Sequence, residues 1–489
     1  MNLMGWATTQ GEAMSNVDTA WLRMEKPGNL MMITGVLRLA TPLRYKRLVD
    51  LLEQRFLAYP RFRQRAVDGP EGAHWENDAE FDITRHVTRL KLPGRADEAA
   101  LQDAVSELAS TPLSGDHPLW QFDLIERFEG GSVVVCRIHH CYADGMALVQ
   151  VMLSLTDSSP DAKREQHWLE EEARAEPSAQ SLPPVLQRLD KAIKFGTRTL
   201  GKWLEAWKEP GATAHLTHEA VAFAQELVHA IGLSDDDVTS LKGALSEEKR
   251  CAWAVPLELD EVKAVSRGFG CTVNDLLLAC AAGAIRQVLL DNGEPVDGLT
   301  LRATVPVNLR PRAHARRLGN HFGLVFLDLP VGEACPPARV RAVGAAMREL
   351  KNSRQAAVSY GLLGVLGMAP TSVQRHALDL LSRKATLVAT NVPGPKQPLY
   401  LAGVEVSRMM FWVPQTGSIG LGISLLSYAG KVYFGLIADR ARLHDPDRVA
   451  RAFNQEFEHM LTLVLLSDWE KAPDEFADDA WAWLGEGCR

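Results

Sequence analysis

One apolar run constrains this chain more than any other segment. Val133-Val134-Val135-Cys136-Arg137-Ile138 is dominated by β-branched residues and reads as a buried strand. It ends in His139-His140-Cys141-Tyr142-Ala143-Asp144-Gly145, after which Met146 to Leu155 reads as a helix. A strand followed directly by a helix is an α/β unit, and such folds place their chemistry at strand ends. Successive strand side chains face opposite ways, so His140 shares a face with Val134, Cys136 and Ile138, and His139 with Val133, Val135 and Arg137. The pattern predicts a desolvated His140 and a His139 with a cation nearby. Side chains on opposite faces do not easily hold one metal ion, which argues against a two-histidine zinc site. A neutral imidazole in a dry channel is suited to taking a proton from a hydroxyl. A lone histidine is more often a satisfied structural residue; the combination with Asp144-Gly145 at a strand end favours chemistry.

With 489 residues the chain is long enough for two or three domains. Its 46% hydrophobic and 23% charged residues are those of an ordinary globular protein. A formal net charge of -8 gives no reason to expect nucleic acid as a partner. The seven cysteines include no C-x-x-C, which predicts neither a disulfide framework nor a zinc cluster and fits a reducing cytoplasm. No signal peptide is read at the start of the chain, and no window approaches the ~20 uninterrupted apolar residues that span a bilayer. The expected location is the cytoplasm, in solution or at a membrane surface.

His139-His140-x-x-x-Asp144-Gly145 resembles the motif of the CoA-dependent acyltransferase superfamily, which includes chloramphenicol acetyltransferase and peptide-synthetase condensation domains. Pro118-Leu119-Trp120, Asn274-Asp275, Gly319-Asn320 and Asn391-Val392-Pro393-Gly394-Pro395 occur in the order found in bacterial wax ester synthase/diacylglycerol acyltransferases. Each match is weak alone; the ordered set spans nearly the whole chain. The resemblance implies an α/β (α+β) fold of two chloramphenicol-acetyltransferase-like domains, with mixed sheets flanked by helices and an active-site channel at their interface. The expected division is 1–180, a helical linker 181–250, and 251–489. It also implies transfer of a long-chain acyl group from acyl-CoA to a fatty alcohol or diacylglycerol, with no metal and no cofactor beyond acyl-CoA as substrate. His140 would be the base and Asn274 the donor to the oxyanion, with Asp275 beside it, while an arginine would hold Asp144 structurally. His139 would act through position. Neither a Ser elbow nor an activated Cys is present, so no acyl-enzyme is expected. Two rivals remain: a His139-x4-Asp144 dyad like that of glycerolipid acyltransferases acting on glycerol phosphates, and an inactive lipid-surface binding protein of the same fold.

Several segments can be placed around this motif. Trp120, Phe122 and Leu124 alternate along a strand, and Glu129-Gly130-Gly131 turns it back, which sets Pro118-Leu119-Trp120 against the histidines as a pocket wall. Tyr142, beside the base, is expected to narrow the pocket. Gly145 allows a tight turn into the helix, and Gly319 permits close backbone approach ahead of Asn320. Arg310, Arg312, Arg316 and Arg317 form the densest basic cluster, suited to CoA phosphates, to anionic headgroups, or to a solvated loop. Residues 186–208 read as a basic amphipathic helix with tryptophans, either interfacial or interdomain. The small-residue stretch 359–368 is either a buried helix or a lipid-facing patch. Asn391 to Pro395 is read as a rigid loop, because its prolines cannot continue a ladder. Residues 16–40, with Asn16, Asp18 and Trp21, open the first domain.

Overall fold

The computed structural model describes residues 11–70, 72–161, 232–310, 318–353 and 355–467. The basic helix expected at 186–208 lies outside them, as do Arg312, Arg316 and Arg317. Two seven-stranded sheets, each with helices packed on it, form a mixed α/β fold. In the first sheet the apolar run forms the strand Gly131–His139, buried throughout. This strand lies between Trp120–Phe128 and Met32–Leu39, antiparallel to both. Glu129 and Gly130, both at positive φ, make the hairpin turn. The helix after the histidines runs from Gly145 to Ser154.

The second sheet is mixed. Leu301–Asn308, Leu387–Pro393 and Leu421–Tyr428 run parallel at its centre, with antiparallel Phe322–Leu329 and Lys431–Asp439 outside them. The parallel strand Leu387–Pro393 includes Asn391 to Pro393, where a loop is expected. Proline is tolerated here because it closes the strand, and pairing passes to the Gly394 N–H, which donates to the Ser427 carbonyl. Helix Val273–Asp291 has the length and apolar content to cross a bilayer, yet 72% of its apolar window is buried inside the molecule. It is the core helix of this half.

The second half of the chain supplies strands to both sheets. Tyr400–Leu401 and Val404–Trp412 leave the second sheet and join the first, where Val404–Trp412 pairs with Met32–Leu39. The insertion covers an edge that would otherwise present unpaired backbone groups. Among the described residues Cys136, Cys141, Cys251, Cys271 and Cys280 are free thiols.

The N-terminal helix Asn16–Met24, capped by Ser15, is held against helix Gln355–Met368 from the other half. A Cβ at Gly367 would overlap the Asn16 carbonyl oxygen, so only glycine allows this approach. The stretch 359–368 is thus a packing helix. Gly367→Ala should destabilise the fold by about 1–3 kcal/mol through overpacking, read as a lower Tm. Gly145→Ala, whose Cβ would meet nothing within 4 Å, should leave Tm unchanged.

Candidate active site

The backbone at the two histidines is pinned from both sides. His139 N–H donates to the Leu119 carbonyl at 2.9 Å, and His140 N–H to the Met31 carbonyl at 2.6 Å. Asp144 then caps the following helix, accepting the Ala147 N–H at 2.8 Å. Between them the chain meets Gly319, which lies at φ +100°. Gly319 N–H donates to the Tyr142 carbonyl at 3.1 Å, and Asp144 N–H to the Gly319 carbonyl at 3.3 Å. Asn320 ties the turn down further: its amide donates to the His140 carbonyl and to Asp18 Oδ1, both at 2.7 Å.

Asp144 is saturated. Its Oδ2 accepts from Arg310 Nη2 at 2.6 Å and from His321 N–H at 2.9 Å. Arg310 Nη2 also reaches the Gly319 carbonyl at 2.7 Å. Arg310 is therefore the arginine that the resemblance requires for Asp144, and it is buried with it. Grouping Arg310 with an exposed phosphate-binding cluster was the natural reading of four nearby arginines, and it is incorrect for this one. Arg137 serves elsewhere, held by the Leu108 and Thr111 carbonyls and 3.5 Å from Asp123.

The two imidazoles have different surroundings. His140 is 4% exposed, and Trp21 stacks on it with ring centroids 4.1 Å apart and planes 20° from parallel. Phe322 lies 5.4 Å away. Burial, only partly opposed by the charge of Asp144, holds His140 down to about 4, so the ring is neutral at pH 7. Its Nδ1 is buried in the wall, and the ring lines the adjoining cavity. His139 Nδ1 accepts the Cys141 N–H at 3.1 Å, so its proton sits on Nε2, 2.8 Å from Glu25 Oε2. That is a close contact rather than a well-aligned hydrogen bond. Burial raises the Glu25 carboxyl, but the His139 contact outweighs this and leaves it below its ordinary value. The neighbour of His139 is thus a carboxylate, not the predicted cation, because Arg137 is engaged by Asp123 and backbone carbonyls.

His140 lines a cavity of about 190 Å³ between the two sheets, together with Trp21, Asp144, Thr304, Asn308 and Asn391. Two smaller cavities of about 80 Å³ adjoin it. One, lined by Gly35, Cys136, Leu148 and Met410, shares Gly145 and Phe411 with the central cavity. The other lies under helices Gln355–Met368 and Thr371–Ser382 and shares Thr304, Leu324 and Thr416. Both are almost entirely apolar in their walls, the chemistry that accepts alkyl chains.

Of the other residues expected at the site, Asn274 stands one layer back. Its Oδ1 accepts from Asn391 Nδ2 at 2.8 Å, and it is Asn391 that lines the cavity. Asp275 closes a capping box with Thr272 at the start of the same helix. Pro118 and Leu119 abut His139 through backbone, while Trp120 turns to the core, where it stacks on His86 and its Nε1 donates to the Phe62 carbonyl at 2.8 Å. Tyr142 also points away from the cavity. Its hydroxyl donates to the Gln64 carbonyl at 2.5 Å and accepts the Leu119 N–H at 3.1 Å, so it braces the wall and does not narrow the pocket. Sequence reading missed Trp21, Glu25, Phe322 and Asn391. The only signal available was the spacing of Asp18, Trp21 and Glu25, which share one helix face.

The His140 shift carries a stability consequence. The folded value near 4 lies below the ordinary 6.5, so the unfolded chain takes the proton first. The contribution is intact above pH 6.5 and lost as pH falls towards 4, roughly 3 kcal/mol in all. Asp18, raised by burial to about 6, works in the opposite direction. Comparing wild type with His140→Gln by denaturant unfolding at pH 7 and pH 4 cancels the Asp18 contribution. Wild type should lose the larger share of stability on acidification.

Comparisons with known proteins give the family. Residues 14–277 match the wax ester synthase/diacylglycerol acyltransferase catalytic domain, and residues 318–461 its C-terminal domain. A putative diacylglycerol O-acyltransferase of Mycobacterium bovis is 28% identical over 420 residues, covering 84% of this chain and 87% of that protein. A probable diacylglycerol O-acyltransferase of Mycobacterium tuberculosis matches to the same extent. The solved wax ester synthase/diacylglycerol acyltransferase of Marinobacter aquaeolei superposes with a TM-score of 0.66 at 22% identity, covering 93% of this chain and all of that one. A condensation domain of the CDA synthetase follows the same fold, with a TM-score of 0.57 at 16% identity over 94% of this chain and 97% of its own. With both domain families matched across most of its length, the chain is an acyltransferase of the wax ester synthase/diacylglycerol acyltransferase family.

Proposed function

We propose that this acyltransferase moves a long-chain acyl group from acyl-CoA to the hydroxyl of a diacylglycerol or a fatty alcohol, with His140 as general base. The observation that carries this reading is a neutral, desolvated imidazole on the wall of a cavity flanked by two apolar ones. His140 Nε2 takes the acceptor proton as its oxygen attacks the thioester carbonyl carbon. The tetrahedral oxyanion receives an amide N–H from Asn391, which Asn274 orients from behind. As the C–S bond breaks, the imidazolium returns the proton to the CoA thiolate, leaving an ester and free CoA. Direct transfer is favoured because the one thiol in the motif, Cys141, is buried and pushed well above its ordinary value by that burial. No cofactor is required beyond acyl-CoA as substrate. The acceptors dissolve in lipid rather than water, so peripheral contact of a cytoplasmic protein with a membrane or lipid inclusion belongs to the same proposal.

The dyad alternative gains nothing from the geometry. Both ring nitrogens of His139 are engaged, and Asp144 is saturated by Arg310, His321 and Ala147. The test is release of CoA from palmitoyl-CoA in the presence of hexadecanol or dioleoylglycerol. His140→Ala should slow turnover by about 10² to 10⁴-fold with the fold intact, and His139→Ala by less. Full activity in His140→Ala would remove the general-base reading. No thiol release with any acceptor would point instead to a lipid-binding protein.

A further inference from the structure

The central histidine lacks the support that a general base usually has. In serine hydrolases the second ring nitrogen of the base is held by a carboxylate, which sets the ring's orientation. Here no carboxylate holds the His140 ring: Asp144 is turned to Arg310, and the polar groups beside the ring are its own carbonyl and the Asn320 side chain. The torsion that sets an imidazole plane is broad and weakly restrained by itself. Without a carboxylate to hold it, the ring depends on packing for much of its orientation.

Helix Asn16–Met24 supplies that packing. Asp18, Trp21 and Glu25 follow at i, i+3 and i+7, one face of a helix and its C-cap. Each engages the motif: Asp18 Oδ1 holds the Asn320 amide that also reaches the His140 carbonyl, Trp21 stacks on the His140 ring, and Glu25 contacts His139. The helix cannot drift from this position. Gln374 Nε2 donates to the Ala20 carbonyl at 2.7 Å, and Arg23 is paired with Asp68 at 2.8 Å. The Trp21 indole N–H is itself buried without a partner. Such an orphan donor costs stability, and an aliphatic side chain would avoid it without offering His140 the same ring face.

We infer that Trp21 is a positioning residue for the base: its indole fixes the plane of the His140 imidazole and seals that face from water. This rests on the reading of His140 as the base. The other charged groups facing His140 are Asp144 with Arg310, His139 with Glu25, and Asp18 behind Asn320. None of them is altered by a substitution at Trp21.

The experiment compares Trp21→Leu with Trp21→Phe in the full chain, using palmitoyl-CoA and hexadecanol. Trp21→Leu should lower kcat roughly 10- to 100-fold while KM for acyl-CoA changes by no more than about twofold. Water reaching the ring should move the acid limb of the kcat–pH profile upward, towards the ordinary histidine value. The same shift should appear in the titration of the His140 ring proton by NMR, assigned by its loss in His140→Gln. Trp21→Phe keeps an aromatic face, loses the orphan N–H, and should recover most of kcat with an unmoved profile. The inference is overturned if Trp21→Leu keeps wild-type kcat and an unchanged His140 titration. It is also overturned if folded Trp21→Phe is as impaired as Trp21→Leu. His140→Ala, assayed alongside, separates failure of the base assignment from failure of the stack.

Discussion

The ion pair between Asp144 and Arg310 is the interaction on which the site depends. It joins residues 166 positions apart and places the end of the His strand against the second sheet. Both partners are buried, and a pair of this kind adds little net stability because desolvation offsets its attraction. What it contributes is register. The same guanidinium nitrogen holds the Gly319 carbonyl, and Gly319 in turn pairs with the backbone from Tyr142 to Asp144. The loop after the histidines therefore closes only when the two halves are together. The cavity between the sheets exists because of that closure.

Desolvation then sets the chemistry. The His strand is buried on both faces, and its last residues inherit that environment without the water that a loop histidine would have. Burial keeps His140 neutral, while His139 is drawn into a contact with Glu25 that occupies it. Two adjacent imidazoles thus differ in role because the pleat turns them to different neighbours. Asp18, raised by its own burial to about 6, accepts the Asn320 amide behind the base.

The fold leaves apolar space where its two halves meet. The apolar cavity beside helix Gly145–Ser154 is roofed by Val404–Trp412, a strand that the second half lends to the first sheet. The other lies under a helix that packs on the N-terminal helix bearing Trp21. Each small apolar cavity is consequently linked to the base by an element that crosses between halves.

Much of this was legible in the sequence, and the division has a physical cause. Local rules determined the His strand, the hairpin at Glu129-Gly130, the cap at Asp144, the helix from Gly145, and the ordered motifs that resemble one family. They also separated His140 from His139, since pleat alternation is a property of the strand itself. Tertiary structure decided the partners. That Arg310 and not Arg137 neutralises Asp144, that Asn391 stands in front of Asn274, and that Tyr142 and Trp120 turn into the core all depend on contacts between distant segments. The stacking of Trp21 on His140 is of the same kind. Spacing fixes which side chains share a face, but what that face meets is chosen by the packing of the whole chain.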